Sequence, residues 1–248
     1  QEQNVIAGIT NKILSRFVDV VAVGYKDAEA SFSKAKRVVY TGNPVRPDVL
    51  VDTRADGRNY FNLSDDTFTV LIAGGSRGAR TINNAMIDVH KHFQGTKGIK
   101  LIHITGDGEY KSVLSQLGIT DGNGLGDSSV ILPYLHDMPK ALAAADLAVF
   151  RSGAIGLAEL AVRGIPSVLV PYPYAAEDHQ TYNARIFVQE GAAHMIVDQM
   201  LSAHDLIGEI EMFMANRDLL SQMGERALQL GKPNAAHDIA KLALSIAK

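Results

Sequence analysis

Apolar runs of strand length alternate with segments of helix length from residue 67 to the end of the chain. Strands are predicted at TFTVLIA (67–73), IKLIHIT (99–105), SVILPY (129–134), DLAVF (146–150), SVLVPY (167–172) and AAHMIV (192–197). Helices are predicted at 79–93, 109–117, 137–144, 154–163 and from 178, and three more helical stretches close the chain. Continuous apolar strands separated by helices are typical of a parallel sheet covered on both faces. Because such crossovers are right-handed, the pattern predicts an α/β fold with a Rossmann-like, doubly wound parallel sheet.

The first forty residues do not form a self-sufficient part of this pattern. NVIAGITNKILSRF (4–17) fits a helix and VDVVAVGY (18–25) a single strand, and these two elements cannot bury a core alone. VVYTGNPVRPDVLV (38–51) contains two prolines and a glycine, so we interpret it as a linker without regular elements. We therefore expect residues 1–40 to be the tail of an N-terminal α/β domain whose earlier part lies outside this chain. Residues 41–248 would be a ligand-binding domain with C-terminal helices.

Composition excludes several classes of protein. A formal charge of −3 over 248 residues argues against a nucleic-acid partner bound by broad phosphate neutralisation. The chain has no cysteine, which rules out disulfides and thiolate metal sites. It also lacks an apolar run of about 18 residues, the length that a membrane-spanning helix needs.

The turn that follows the first strand of the alternation is glycine-rich. Ligands of open α/β sheets bind at the carboxyl ends of strands, and GGSRGA (74–79) stands at such an end, directly before a helix. Small residues let a ligand approach the backbone, and the free N–H groups of the helix N-terminus favour a phosphate or diphosphate. The alternative is a tight turn with only a packing role. The loop matches neither the dinucleotide-binding G-x-G-x-x-G nor the P-loop, which weakens the dinucleotide and kinase-like interpretations.

Two later turns also carry polar groups. In RSGAIGLAEL (151–160), Glu159 lies about one and a half helical turns beyond Ala154. Its carboxylate could accept hydrogen bonds from ribose hydroxyls, or it could be a surface glutamate favoured by helix propensity, and the pattern supports both equally. In the third turn, PYPYAAEDHQTYN (171–183), Asp178 suits a helix N-cap, and the polar residues that follow it suit either a sugar ring or a solvated helix start.

These motifs together resemble a known family. TGNPVR (41–46), GGSRGA (74–79), PYLHDM (133–138), RSGAIGLAEL (151–160) and DHQTYNA (178–184) are similar, in this order, to the C-terminal half of the MurG family. The family comprises UDP-N-acetylglucosamine transferases with two Rossmann-like domains of the GT-B type. QEQNVIAGITNK (1–12) is similar to the family's HEQN-type segment at the end of the N-terminal domain, so the resemblance covers essentially the whole chain.

The resemblance implies that this chain holds a UDP-sugar donor. The residues implied for the diphosphate are Arg46, Gly75, Ser76, Gly78, Ala154 and Ile155. The backbone of Leu135 would read the uracil edge, and Glu159 would accept from the ribose hydroxyls. The sequence departs from the family at Gln1, where many members have His, and at Gly156, where Thr or Ser is common and a hydroxyl contact to phosphate would be lost.

The resemblance also implies residues for the sugar and for the cleft between domains. Gln180, with His179 and Asn183, would hold the sugar hydroxyls, and Asn4 and Asn11 match positions in the interdomain cleft.

The implied reaction is direct displacement with inversion at the anomeric carbon of the sugar. A lipid-linked muramyl-peptide acceptor would attack and UDP would leave, with helix N-termini stabilising the leaving diphosphate without a metal or other cofactor. The general base, the acceptor site and a peripheral contact with the inner face of the cell membrane are expected outside this chain, in a cytoplasmic enzyme. This chain alone is therefore predicted to be inactive.

The residues themselves leave two other functions open. One is a GT-B transferase with a glycolipid or exopolysaccharide acceptor, because fold alone does not select the acceptor. The other is a donor-binding subunit completed by a separate membrane-associated protein.

Overall fold

The structure is a computed structural model that describes residues 1–75 and 78–247. The strands are β1 (Val21–Val23), β2 (Val38–Tyr40), β3 (Phe68–Ala73), β4 (Ile99–Ile104), β5 (Ser129–Leu132), β6 (Leu147–Phe150), β7 (Ser167–Leu169) and β8 (Ala193–Met195). The α-helices are α1 (Ile9–Leu14), α2 (Pro47–Val51), α3 (Arg54–Tyr60), α4 (Arg80–Phe93), α5 (Asp107–Leu117), α6 (Met138–Ala144), α7 (Ala154–Arg163), α8 (His179–Gln189), α9 (Ala203–Ala215), α10 (Arg217–Leu230) and α11 (Ala235–Ile246). Short 3₁₀ helices lie at Lys26–Phe32, Ala176–Asp178 and Asp198–Met200.

Strands β3 to β8 form one parallel sheet in the order β5-β4-β3-β6-β7-β8. The chain builds outward from β3 to β5 on one side and from β6 to β8 on the other. The order therefore reverses between β3 and β6, and the turns that leave these two strands diverge and open a crevice. The predicted doubly wound α/β sheet is confirmed, with each strand shorter at one or both ends than its apolar run.

Helices cover both faces of this sheet because its strands are apolar on both sides. Successive residues of a strand point to opposite faces. Leu71 belongs to the cluster that includes Leu142 of α6 and Leu160 of α7. Ile72 belongs to the opposite cluster, with Met86 of α4 and other fully buried apolar side chains. These two packed layers hold the strand-to-helix turns at the carboxyl edge in fixed positions.

The N-terminal segment contains more structure than the sequence predicted. Strand β2 pairs in parallel with β1, and α2 follows it, so the interpretation of residues 38–51 as a linker without regular elements is wrong. Pro47 is compatible with α2 because it occupies the first turn, where no backbone N–H is needed. The predicted helix over 4–17 is limited to α1. The assignment of residues 1–40 to a separate domain stays a prediction.

Each helix within residues 1–75 and 78–247 falls short of the length and apolarity that crossing a bilayer requires.

Candidate functional site

A cavity of about 320 Å³ opens at the carboxyl edge of the sheet, where the strand order reverses. The residues that line it are Arg46, Ala73, Gly74, Gly75, Ile104, Gly106, Pro133, Tyr134, Leu135, Met138, Phe150, Arg151, Gly153, Gly156, Glu159 and Gln180. We call it the switch-point cavity. It gathers residues from all three turns that the sequence singled out.

A larger hollow of about 1060 Å³ lies at the opposite, amino edge, lined by residues such as Thr67, Ile99 and Ser128. There Gln94 closes the C-terminus of α4, and helix C-termini carry negative partial charge. The helix termini therefore favour a phosphorylated ligand at the switch-point cavity, although Lys97 and Lys100 line the larger hollow.

The glycine loop between β3 and α4 forms one wall of the cavity. Gly75 has φ +87° and Gly78 has φ +75°, a region that favours glycine. A Cβ at Gly78 would lie 2.0 Å from the carbonyl oxygen of Thr105, so the loop packs directly on the end of β4. Ser76 lies outside the described residues. Gly74 and Gly75 thus line the cavity with backbone alone, as the predicted close approach of a ligand requires.

The turn between β6 and α7 forms the facing wall. Gly153 is the N-cap of α7 and has no side chain to cap the helix, so the first amides, including those of Ala154 and Ile155, are left for a ligand. Gly156 lines the cavity in the first turn of α7, and a Cβ there would lie 3.7 Å from Cδ1 of Phe150, an ordinary contact. The structure therefore has room at residue 156 for the Cβ of a Ser or Thr, the residues that are common there in the family.

Glu159 points into the cavity from the second turn of α7. It is only 7% exposed, which excludes the interpretation as a solvated surface glutamate. Its Oε1 accepts a hydrogen bond from Nε of Arg46, 3.0 Å away, and Arg46 precedes α2. A carboxylate can accept about four hydrogen bonds, so this pair leaves acceptor capacity for ligand hydroxyls.

Gln180 reaches the cavity from the first turn of α8. Its Oε1 accepts from the backbone N–H of Tyr172 at 3.0 Å, which turns the amide N–H₂ away from that contact. Its main-chain carbonyl accepts from Oγ of Ser152 at 2.8 Å and so joins the second and third turns.

His179 lies beside the cavity rather than among its lining residues. Its Nδ1 donates to the carbonyl of Ala176 at 2.7 Å, because a carbonyl oxygen can only accept. Asp178 stands at the N-cap position of α8, as predicted, but at φ +54°, and its carboxylate accepts from the hydroxyl of Thr181 instead of capping the helix.

Asn183 is fully buried and braces the N-terminal segment. Its Oδ1 accepts from the backbone N–H of Val5 at 3.0 Å. Its Nδ2 donates to Oδ1 of Asn4 at 3.0 Å and to the carbonyl of Ser152 at 3.2 Å. Both amide hydrogens are therefore used within the protein, and the contact of Asn183 with a sugar hydroxyl stays a prediction.

The comparisons with known proteins agree with this geometry. Residues 69–242 match the model of the glycosyltransferase family 28 C-terminal domain, which is more than half of the chain.

The chain belongs to glycosyltransferase family 28.

Relatives of this family 28 chain are similar over nearly all of it. Two are UDP-N-acetylglucosamine–N-acetylmuramyl-(pentapeptide) pyrophosphoryl-undecaprenol N-acetylglucosamine transferases. The protein of Desulforamulus reducens is 41% identical over 97% of this chain and 65% of its own length. The protein of Desulfitobacterium hafniense is 42% identical over 99% of this chain and 67% of its own length. The crystal structure of Acinetobacter baumannii MurG superimposes with a TM-score of 0.76 and 29% identity, covering 99% of this chain and 66% of that one. The resemblance to the MurG family is confirmed, and the chain spans about two thirds of the length of these relatives.

Glu2 is a buried residue of the family 28 chain that the sequence reasoning missed. Its carboxylate accepts from Nδ2 of Asn11 at 2.9 Å and from the backbone N–H groups of Asn4 at 2.9 Å and Gly8 at 3.0 Å. Burial alone would raise the pKa of Glu2, but these hydrogen bonds outweigh it and hold the pKa below its usual value. The two asparagines expected in the interdomain cleft thus gather on one carboxylate. The sequence does not single out Glu2, because the N–H groups that reach its carboxylate are brought there only when residues 1–11 fold.

Arg151 is a second residue whose role the sequence left open. It directly follows β6 and lines the switch-point cavity, and its position at a strand end was a usable signal. Among the described residues, groups of three or more His, Cys, Asp or Glu side chains that could hold a metal ion are absent.

Proposed function

We propose that this chain carries the donor-binding part of an inverting N-acetylglucosaminyl transferase. The donor would be UDP-N-acetylglucosamine and the acceptor a lipid-linked muramyl peptide, in peptidoglycan synthesis. The observation that carries the proposal is Glu159, a buried carboxylate that lines a cavity between two helix N-termini at the switch point of the sheet. The names of the relatives from Desulforamulus reducens and Desulfitobacterium hafniense support both the donor and the acceptor.

The residues that line the cavity suggest one orientation for the donor. The ribose hydroxyls would donate to Glu159, and the uracil would lie toward the backbone of Leu135. The diphosphate would then lie between the starts of α4 and α7, where free N–H groups and the positive ends of the helix dipoles favour an anion. The sugar would follow toward Gln180, whose amide N–H₂ can donate to a hydroxyl.

In the proposed transfer, the bonds formed and broken balance without a cofactor. The acceptor hydroxyl oxygen forms a bond to the anomeric carbon, the bond from that carbon to the diphosphate oxygen breaks, and UDP leaves with the electron pair. The acceptor proton goes to a base that we place outside residues 1–248. The helix N-termini, with Arg46 nearby, would stabilise the charge that develops on the leaving diphosphate, so we propose that the donor site requires no metal.

We assign the acceptor site and the membrane contact to the third of the relatives' length that this chain does not match. The complete enzyme would act in the cytoplasm, peripherally at the inner face of the cell membrane, without a nucleic-acid partner. The chain alone would bind donor and transfer no sugar, and turnover of a lipid acceptor by the chain alone would contradict this assignment.

Calorimetric titration of the chain tests the proposal. We expect UDP-N-acetylglucosamine to bind more tightly than UDP-glucose, with the same affinity in the presence of a chelator. A chain that is folded by circular dichroism and gives no heat with either donor would contradict the proposed function, and binding that is lost with the chelator would contradict the metal-free site.

A further inference from the structure

Asp198 joins two of the turns that surround the switch-point cavity. It begins the 3₁₀ helix after β8 and is only 9% exposed. Its Oδ2 accepts from the hydroxyl of Thr81 at 3.0 Å, and its Oδ1 accepts from Nη1 of Arg151 in a close ion pair. One buried carboxylate therefore bridges two elements that are separate in the sequence.

One partner of Asp198 lines the cavity, and the other lies in the helix that follows the glycine loop. Thr81 is the second residue of α4, the helix that the glycine loop feeds. Arg151 follows β6 and lines the cavity, and its Nη1 also donates to the carbonyls of Val170 and Pro171, each at 3.0 Å, beyond the end of β7. The carboxylate thus ties the start of α4 to the ends of β6 and β7.

We propose that Asp198 is a positioning residue that sets the distance between the N-terminus of α4 and the turn between β6 and α7. Two helix N-termini can act on one diphosphate only when their spacing matches it, and prearranged donors cost no reorganisation when the ligand arrives. This inference rests on the proposed function, because it assumes that the cavity takes a diphosphate.

Positioning and simple electrostatics predict opposite results when Asp198 is neutralised. Asp198→Asn removes a negative charge beside an anion site and leaves the cation of Arg151 uncompensated. If charge alone mattered, UDP would bind more tightly to this variant. If Asp198 acts by positioning, UDP binds more weakly although the local charge has become more positive.

A second substitution separates the two effects without changing any charge. Thr81→Val keeps the shape of the side chain and removes the hydroxyl that links α4 to Asp198. Thr81→Ser keeps the hydroxyl and is the conservative rescue. Asp218, exposed in the first turn of α10, provides the matched control Asp218→Asn.

The test is titration of the full chain and these variants with UDP, and with uridine by competition. We expect Asp198→Asn and Thr81→Val each to weaken UDP about three- to tenfold and to leave uridine within about twofold, because uridine has no phosphate to be positioned. Thr81→Ser and Asp218→Asn should match the unmodified chain. The double variant should lose less than the product of the two single effects, because both remove the same bridge.

Three results would overturn the inference. Tighter UDP binding by Asp198→Asn would show a purely electrostatic role. Parallel losses for UDP and uridine would show a general structural role, and unchanged UDP binding by a folded Thr81→Val would show no role in positioning. If the unmodified chain binds no UDP, the proposed function fails and the inference fails with it; if it binds and the variants do not differ, only the inference fails.

Discussion

Nε of Arg46 donates to Oε1 of Glu159 across 3.0 Å, although 113 positions separate the two residues in the chain. The contact joins the segment after β2 to α7 and places a cation and a carboxylate together in the lining of the switch-point cavity. Glu159 is buried, whereas the side chain of Arg46 is about half exposed. In the proposed complex, Glu159 binds the nucleoside and Arg46 lies close to the diphosphate.

Replacing Glu159 should weaken every uridine-containing ligand. In the proposed complex, Glu159→Ala removes the acceptor of charge-assisted hydrogen bonds from ribose, each of which would contribute about 1.5–3 kcal/mol. We expect UDP-N-acetylglucosamine and UDP-glucose to lose affinity alike, by about ten- to a hundredfold, in calorimetric titration. Glu225→Ala, at an exposed position of α10, is the matched control. A loss confined to one of the two donors would place Glu159 at the sugar instead of the ribose.

Gly156 should accept a side chain, unlike a glycine that is packed against backbone. Gly156→Ala should raise the free energy of unfolding by about 0.5–1 kcal/mol, because alanine favours a helix over glycine and the new Cβ finds ordinary contact distance to Phe150. Gly57→Ala in α3 is the contrast, since its Cβ would lie 2.4 Å from the carbonyl of Lys140. We expect it to be destabilised by about 1–3 kcal/mol in urea unfolding.

Gly156→Ser should also bind UDP-N-acetylglucosamine more tightly than Gly156→Ala, because its hydroxyl can reach the diphosphate. Equal donor affinities of the two variants would show that the hydroxyl common in the family has no partner in this cavity.

A buried hydrogen-bond chain sets the ring forms of two histidines. Nδ2 of Asn83 donates to the carbonyl of Thr105, so Oδ1 of Asn83 accepts from Nε2 of His103. Nδ1 of His103 then accepts from Nε2 of His90, and Nδ1 of His90 accepts from the hydroxyl of Ser129. Both rings are therefore neutral, with the proton on Nε2.

Stability should consequently fall in mild acid. Burial lowers the pKa of His90 to about 4, and burial together with the neighbouring His90 lowers the pKa of His103 well below its usual value. Below about pH 6.5 the unfolded chain binds protons at these two histidines and the folded chain does not. Each histidine therefore lowers the free energy of unfolding by about 1.4 kcal/mol per pH unit. Urea unfolding at pH 7 and pH 5 measures this loss.

The ring nitrogen shifts in nuclear magnetic resonance spectra should show both rings neutral and protonated on Nε2 at pH 5. His194 is the contrast in the same spectra, because a hydrogen bond to Glu209 raises its pKa. Protonation of His90 or His103 near pH 6.5 would contradict the chain of hydrogen bonds.

Asn183 should contribute to stability independently of any ligand. Asn183→Ala leaves the backbone N–H of Val5 and the carbonyl of Ser152 without their buried partner, at a cost of about 2–4 kcal/mol of unfolding free energy. Asn84→Ala, at an exposed position of α4, should change nothing. If Asn183 also holds the sugar, the variant should lose affinity for UDP-N-acetylglucosamine and keep its affinity for UDP. If the variant binds both ligands as tightly as the unmodified chain does, Asn183 has only a structural role.

The sheet and its turns could be predicted because they depend on local patterns. Continuous apolar runs such as that of β3 identify buried parallel strands, and the right hand of the crossovers then limits the topology. Glycines such as Gly78 mark a loop that packs closely on a neighbouring strand. The short elements were missed for equally local reasons: β2 has only three residues, and α3 is mostly polar and contains Gly57.

The contacts within the candidate site could not be predicted, since each joins distant parts of the chain. The polar residues of the third turn looked alike in sequence, yet Gln180 lines the cavity and Asn183 is buried against Asn4. Only tertiary packing decides which side of α8 faces a ligand. The bridge from Asp198 to Thr81 spans 117 positions, and the sequence gives no sign of it.

The most direct test of the central claim is a crystal structure of the chain with UDP-N-acetylglucosamine. We predict the ribose hydroxyls within hydrogen-bond distance of Glu159, the diphosphate between the starts of α4 and α7, and the sugar against Gln180. A nucleotide bound in the larger hollow at the amino edge of the sheet, or a ribose away from Glu159, would contradict the account.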